Sequence, residues 1–311
     1  MMTYIFKRVV SLIPILLGTT LLTFLLIHLV PGDPAEIYLR LSQIPPTDEA
    51  VAMIRQELRL NQPLYVQYYQ WLVNALQLNF GNSFTTGEPI FEEAVYFLIP
   101  TMQLTLSAVI LTLCISVPAG IFSAIYKDRL FDRFSRLLSY IGASMPSFWL
   151  GFILLYIFSY KLGLFPSGGR GGFVHLVLPT ITMCFIYTFT FPRLLRSGML
   201  EYMKQPFVIN ATSRGLKESV IIGKHVLKNA LQPYITAFGM SIGHMIAGTV
   251  IVESIFSWPG VGRYFVTAIL NRDYPVIQFC VLLMTVIFVI LNLIVDIIHA
   301  HLDPRIRLKG D

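Results

Sequence analysis

Long apolar stretches separated by charged connections run from end to end of this chain. Six of them, near residues 9–30, 102–126, 137–160, 174–195, 231–256 and 276–298, are long enough to cross about 30 Å of hydrocarbon as helices. The pattern predicts an all-α, polytopic membrane protein with six transmembrane helices. The first stretch reads as a retained span. It is too long for a signal h-region, ends in Val30-Pro31-Gly32 and lacks a small-x-small cleavage pattern.

Two connections have helical patterning of their own. In the first, Thr47 caps a helix that opens with Asp48 and Glu49 and runs through Met53 and Ile54 to about Leu60. Asn61-Gln62-Pro63 ends it, and Leu64, Tyr68, Trp71, Leu72, Ala75 and Leu76 form the apolar face of a second helix. That aromatic stripe is expected to pack on the membrane helices. The other patterned connection is Gln205–Pro233, a basic interruption in hydrocarbon-compatible sequence. Pro206 suits a first helical turn, and Phe207, Val208 and Ala211 recur at helical spacing. Gly215 offers the left-handed position that stops a helix. Val220, Ile221, Val226 and Leu227 then begin a second amphipathic segment among Lys217, Lys224 and Lys228. Two short helices hinged at a glycine suit docking into a soluble partner's groove, or form an ordinary amphipathic surface.

Composition narrows the class. The 311 residues are 55% hydrophobic and 13% charged, with mean hydropathy +0.67, which excludes a pair of soluble domains. Basic residues concentrate in alternate connections: Lys7 and Arg8, then Lys127 to Arg136, then Arg193 to Lys228, then Arg305 to Lys309. Both termini are therefore expected in the cytoplasm. The net charge of +6 is a topology signal and not a nucleic-acid footprint. Cys114, Cys184 and Cys280 lie singly within spans, without CxxC spacing, and are expected to pack.

Few residues carry chemistry. There is no GxxxxGK[ST], no HExxH and no nucleophile elbow. Gly169-Arg170-Gly171 fails as a dinucleotide fingerprint at Val174 and reads as part of a flexible loop, 167–172. The fifth span holds a small-residue ladder, Gly239, Gly243 and Ala247, which permits close helix approach. His244 stands beside it and Met240 precedes His244 by one turn. The pair could serve as a transient metal contact on the translocation path, or His244 could be a neutral, hydrogen-bonded helix contact. Glu253 lies on the opposite side of that helix and is expected to anchor an outer loop. Asn292, Asp296, His299 and Asp303 form a stripe that could be an exit site or structural anchoring. His28, His175 and His225 stand alone.

Ala211, Gly215, Asn229-Ala230-Leu231 and Pro233 together resemble the coupling-helix motif of ATP-binding-cassette (ABC) importer permeases, with Ile209 where the motif's first glutamate usually stands. PGDPA at 31–35, LNQPLYVQYYQWL at 60–72, FGNSF at 80–84, ESIFSWPGVGRY at 253–264 and DPRIR at 303–307 extend the resemblance to the B-type dipeptide, oligopeptide and nickel branch. YLRLSQIPPT at 38–47 and NRDYPVIQ at 271–278 look most like its nickel permeases. The resemblance implies a type I importer permease fold in the bacterial inner membrane. It divides the chain into an N-terminal stub and first span (1–30), an extracytoplasmic helical insertion (31–96), a permease core (97–298) with coupling loop 199–230, and a cytoplasmic tail (299–311). It implies ATPase coupling through Ala211, Gly215, Leu216 and Asn229, and no catalytic residue or cofactor in this chain. ATP would be used by two ABC ATPase subunits, beside a second permease of similar fold, an extracytoplasmic solute-binding protein and membrane lipid. The expected cargo is nickel ion or a nickel chelate. Di- or oligopeptides are the alternative, and an ATP-independent carrier or intramembrane enzyme is a more distant one.

Overall fold

Helices dominate the computed structural model, which describes residues 2–302; no strand occurs among them, only an isolated bridge between Asn82 and Pro89. In chain order the helices are α1 (Met2–Leu29), α2 (Pro34–Leu41), α3 (Asp48–Glu57), α4 (Leu64–Leu76), α5 (Ile90–Ile125), α6 (Leu130–Ser144), α7 (Ser147–Leu154), α8 (Phe173–Tyr202), α9 (Pro206–Ser213), α10 (Glu218–Val220), α11 (Leu227–Ile255), α12 (Val261–Asn271) and α13 (Tyr274–Leu302). Five helical stretches are long and apolar enough to cross a membrane, and the bent α6–α7 pair is a sixth if counted as one span.

The expected third span is the main departure. Instead of one rod over 137–160, α6 and α7 meet at a 102° bend. Pro146 has no N–H to continue α6, and its ring drives Met145 out of the helical region, to φ −92, ψ 117. The carbonyl of Pro146 then starts α7 by accepting from Leu150 N at 3.1 Å. A π-helical turn, Leu155–Lys161, completes this arm.

Two units share the chain. One comprises Met2–Thr101 with Pro259–Val289. Thr47 caps α3 as expected, its hydroxyl accepting from Ala50 N, but α3 ends at Glu57 and not near Leu60. Arg59 then takes φ +55, outside the helical region. The α4 stripe meets α1 through Tyr68, whose ring packs edge-on to Phe24 and whose hydroxyl lies 3.0 Å from that of Thr20. Leu64 and Leu76 at its ends are exposed. Two short helices escape the apolar pattern altogether: α2, capped by Asp33 with Pro34 in its first turn, and α12, closed by Arg272 in the left-handed region at φ 57. Asp273 follows α12, and its carboxylate accepts from Ser83 Oγ at 2.6 Å and Thr85 N at 3.0 Å.

The other unit comprises Met102–Trp258 and, among the described residues, 290–302. Its core has one cluster around Met245, Val252 and Trp258, and another around Leu195, Met199, Val226 and Tyr234. The glycine-rich segment 167–172 is tied down here. Gly169 N donates to Phe256 O at 2.9 Å, and a Cβ on Gly168 would lie 2.6 Å from that carbonyl. Cys184 is buried as expected, whereas Cys114 is exposed. Cys280, in the first unit, is buried.

Candidate coupling element and translocation helix

The end of α8 passes into α9 without a loose linker. Met203, Lys204 and Gln205 donate backbone N–H groups to the carbonyls of Met199, Glu201 and Tyr202, and Pro206 occupies the first turn of α9. Ala211 points inward, into the cluster of Leu195, Met199, Ile221 and Val226. Ile209 on α9 and Leu216 just past its cap are exposed, so α9 is anchored by one face while apolar side chains on and beside it stay open.

Gly215 terminates α9 in the left-handed region, at φ +75. Leu216 N donates to Ala211 O at 3.3 Å and Gly215 N to Thr212 O at 2.9 Å, the paired bonds of a Schellman cap. The second segment is not a separate short helix. Glu218–Val220, a π-helical turn at Ile221–Val226 and α11 run on as one helical stretch, Glu218–Ile255. No residue between 218 and 232 forces a break, and Pro233 lies inside α11. Asn229 donates its amide to His225 O at 2.7 Å, so it supports the junction between the π turn and α11.

Met240 and His244 share a face of α11, and both are exposed; Met240 retains 53% of its accessible surface. Gly239 and Gly243 are buried, and a Cβ on Gly239 would come within 2.7 Å of Val295 Cγ2 on α13. The ladder thus admits a close neighbour at Gly239, while Ala247 is exposed. Asn229 and His244 are fifteen residues apart, roughly 22 Å along a straight helix. Glu253 is fully buried and makes contacts of its own. No group of three or more His, Cys, Asp or Glu that could hold a metal occurs among the described residues. Of the Asn292 stripe, Asp303 lies outside the described residues, and Asp296 and His299 are described in their backbone alone.

One constellation escaped the sequence reading. Arg196 of α8 forks onto the Asp132 carboxylate of α6, with Nε–Oδ1 at 2.6 Å and Nη2–Oδ2 at 2.7 Å. The pair is separated by 64 residues, and in the sequence Arg196 registers only as one of many basic loop charges. Tyr264 figures in the sequence only as the last residue of the ESIFSWPGVGRY motif. Its hydroxyl donates to Glu93 Oε2 at 2.8 Å, and burial first, then that carboxylate, push its phenol above the usual tyrosine range.

Residues 116–308 match the model of a protein family described as the binding-protein-dependent transport system inner membrane component, and residues 1–107 match its N-terminal companion. The chain belongs to this family. It is similar, at 37% identity over 310 residues, to the glutathione transport system permease protein GsiC of Salmonella paratyphi A, covering 99% of this chain and 100% of the relative. The Escherichia coli protein of the same name is 36% identical over the same length. Among solved structures, the methionine ABC transporter MetNI in an inward-facing form superposes with TM-score 0.57 at 16% identity, over 70% of this chain and 99% of that one. An amino acid ABC transporter with histidines gives 0.53 at 15%, over 68% and 94%. These likenesses establish an ABC importer permease fold, and the family makes this chain a multi-pass inner-membrane permease subunit of an ABC importer.

Proposed function

We propose that this permease carries small peptide-type solutes, of the size and character of glutathione, and not nickel. The observation that carries the reading is the 36–37% identity to glutathione permeases, sustained over 99% of the chain. The structure adds a physical reason to set nickel aside. The two stretches that pointed to it have structural tasks: Leu39 is buried under α3, Thr47 caps α3, Arg272 closes α12, and Asp273 holds Ser83 and Thr85. Met240 and His244 offer one thioether and one imidazole on an exposed face, short of the ligand set that would hold a borderline metal. They are better assigned to a face of the path that a second permease covers.

Coupling is assigned to α9. Ala211 and the Gly215 cap hold its shape, Asn229 supports the junction behind it, and Ile209 and Leu216 present the apolar surface to an ATPase groove. Two ATPase subunits supply ATP hydrolysis, a binding protein delivers solute from outside, and both termini face the cytoplasm. ATP then drives alternating access by favouring one arrangement of the two permeases over the other. The test is uptake into proteoliposomes holding the complete importer with its binding protein. Labelled dipeptide or glutathione should accumulate and be undisturbed by excess nickel. Nickel uptake insensitive to excess dipeptide would overturn the assignment of solute.

A further inference from the structure

We propose that Asp132 and Arg196 are a positioning pair that makes α6 move with α8, so that displacement of α9 reaches the bent corner at Met145–Pro146. The inference rests on the reading of α9 as the coupling element.

Asp132 has no accessible surface and Arg196 only 13%. Replacing such a pair by apolar residues often leaves stability unchanged, so stability alone is a poor reason for it. What a two-bond fork onto a carboxylate does supply is a fixed distance and angle between its carriers. Asp132 Oδ2 also accepts from Asp128 N at 2.9 Å, and Asp128 sits at φ +63. A non-glycine residue keeps that conformation when its surroundings fix it. Arg136 lies 3.8 Å from the same oxygen. The Arg196 fork thus ties the start of α6 to α8, while Asp128 N and Arg136, on the preceding turn and on α6 itself, hold the carboxylate in place for it.

The register continues along α6. Ser139 Oγ donates to Phe189 O at 2.6 Å, and a Cβ on Gly142 would stand 2.7 Å from Phe189 Cβ. On the other side, Arg196 lies one residue from Leu195 and three from Met199, which hold Ala211 of α9 in the shared cluster. An unbroken series of bonded and packed groups thus joins α9, the end of α8 and the whole of α6. At the end of α6 comes the 102° corner, flanked by the exposed Tyr140 and Ile141 on α6 and Phe148 and Trp149 on α7.

The test uses the complete importer in nanodiscs, with a fluorophore on Tyr140→Cys and the native cysteines replaced, so no transported solute is needed. Addition of ATP should change the fluorescence of the parent. Arg196→Lys keeps the charge against Asp132 but loses the fork. It should assemble and hydrolyse ATP, with the ATP-dependent change per complex reduced roughly tenfold. Asp132→Asn should do the same where it assembles. A merely structural role would lower the yield of complex and leave the change per complex intact, which overturns the proposal. So would a parent that shows no ATP response at this position. Ile209→Asp in α9 separates the two ideas: an undiminished ATP response there removes the coupling reading of α9, while the effect of Arg196→Lys speaks to the pair alone.

Discussion

Gly239 and Gly248 lie on the same helix and make opposite demands on a substituent. A methyl group at 239 meets Val295 Cγ2 at 2.7 Å, whereas at 248 nothing lies within 4 Å. Gly239→Ala should therefore destabilise the purified complex by about 1–3 kcal/mol through overpacking. Gly248→Ala should be neutral or slightly stabilising, by up to about 1 kcal/mol. Paired thermal unfolding curves check both. At Gly215 the constraint is conformational, since φ is +75 but the space around the site is open. Gly215→Val should cost about 1–2 kcal/mol locally and fray the end of α9. Uptake should fall more than folding, as measured by transport per assembled complex. Tyr264 makes a pH prediction. Its folded phenol titrates above the ordinary value of 10.0, so no stability is lost below that pH. The loss begins only as pH climbs past the unfolded value. Ultraviolet difference spectra between the parent and Tyr264→Phe should show no phenolate signal from this residue at pH 10.5 in the folded complex.

At the scale of elements, the spans were legible because hydrocarbon length and composition mark them directly. The α3 cap and the helix from Pro206 to the left-handed Gly215 were legible because local backbone chemistry specifies them. Other features were hidden by the same signals. The apolar run over 137–160 is continuous enough to mask what Pro146 does to it, and α2 and α12 lie in stretches that the sequence offered as family motifs and not as helices. The Asp132–Arg196 pair depends on two helices meeting far apart in sequence, which a single sequence does not record. Glycines at 167–172 suggested a loose loop, yet Gly168 is small because the Phe256 carbonyl lies against it. The bend makes its own prediction. Pro146→Ala restores an N–H and frees Met145 to become helical, so α6 and α7 should tend toward one rod. Distances between spin labels on Ser135→Cys and Leu154→Cys should lengthen relative to the parent.

For the whole molecule, the alternation of basic connections and apolar spans predicts a sidedness. With native cysteines replaced, Ala50→Cys and Thr85→Cys should react with an impermeant maleimide only from outside, and Asn210→Cys only from inside. Reaction of Asn210→Cys from outside would place α9 beyond the reach of cytoplasmic ATPases. The importer account depends on that reach and on a peptide-type cargo, and a single measurement joins them. Vesicles carrying the complete importer, trapped ATP and the binding protein are given labelled dipeptide. The parent is compared with a variant whose exposed apolar side chains on α9 and just past its cap are made polar by Ile209→Asp and Leu216→Asp. The account predicts that the parent concentrates the dipeptide against its gradient only with ATP, and that the variant inserts normally but fails to concentrate it. Equal ATP-driven accumulation by both would contradict the account.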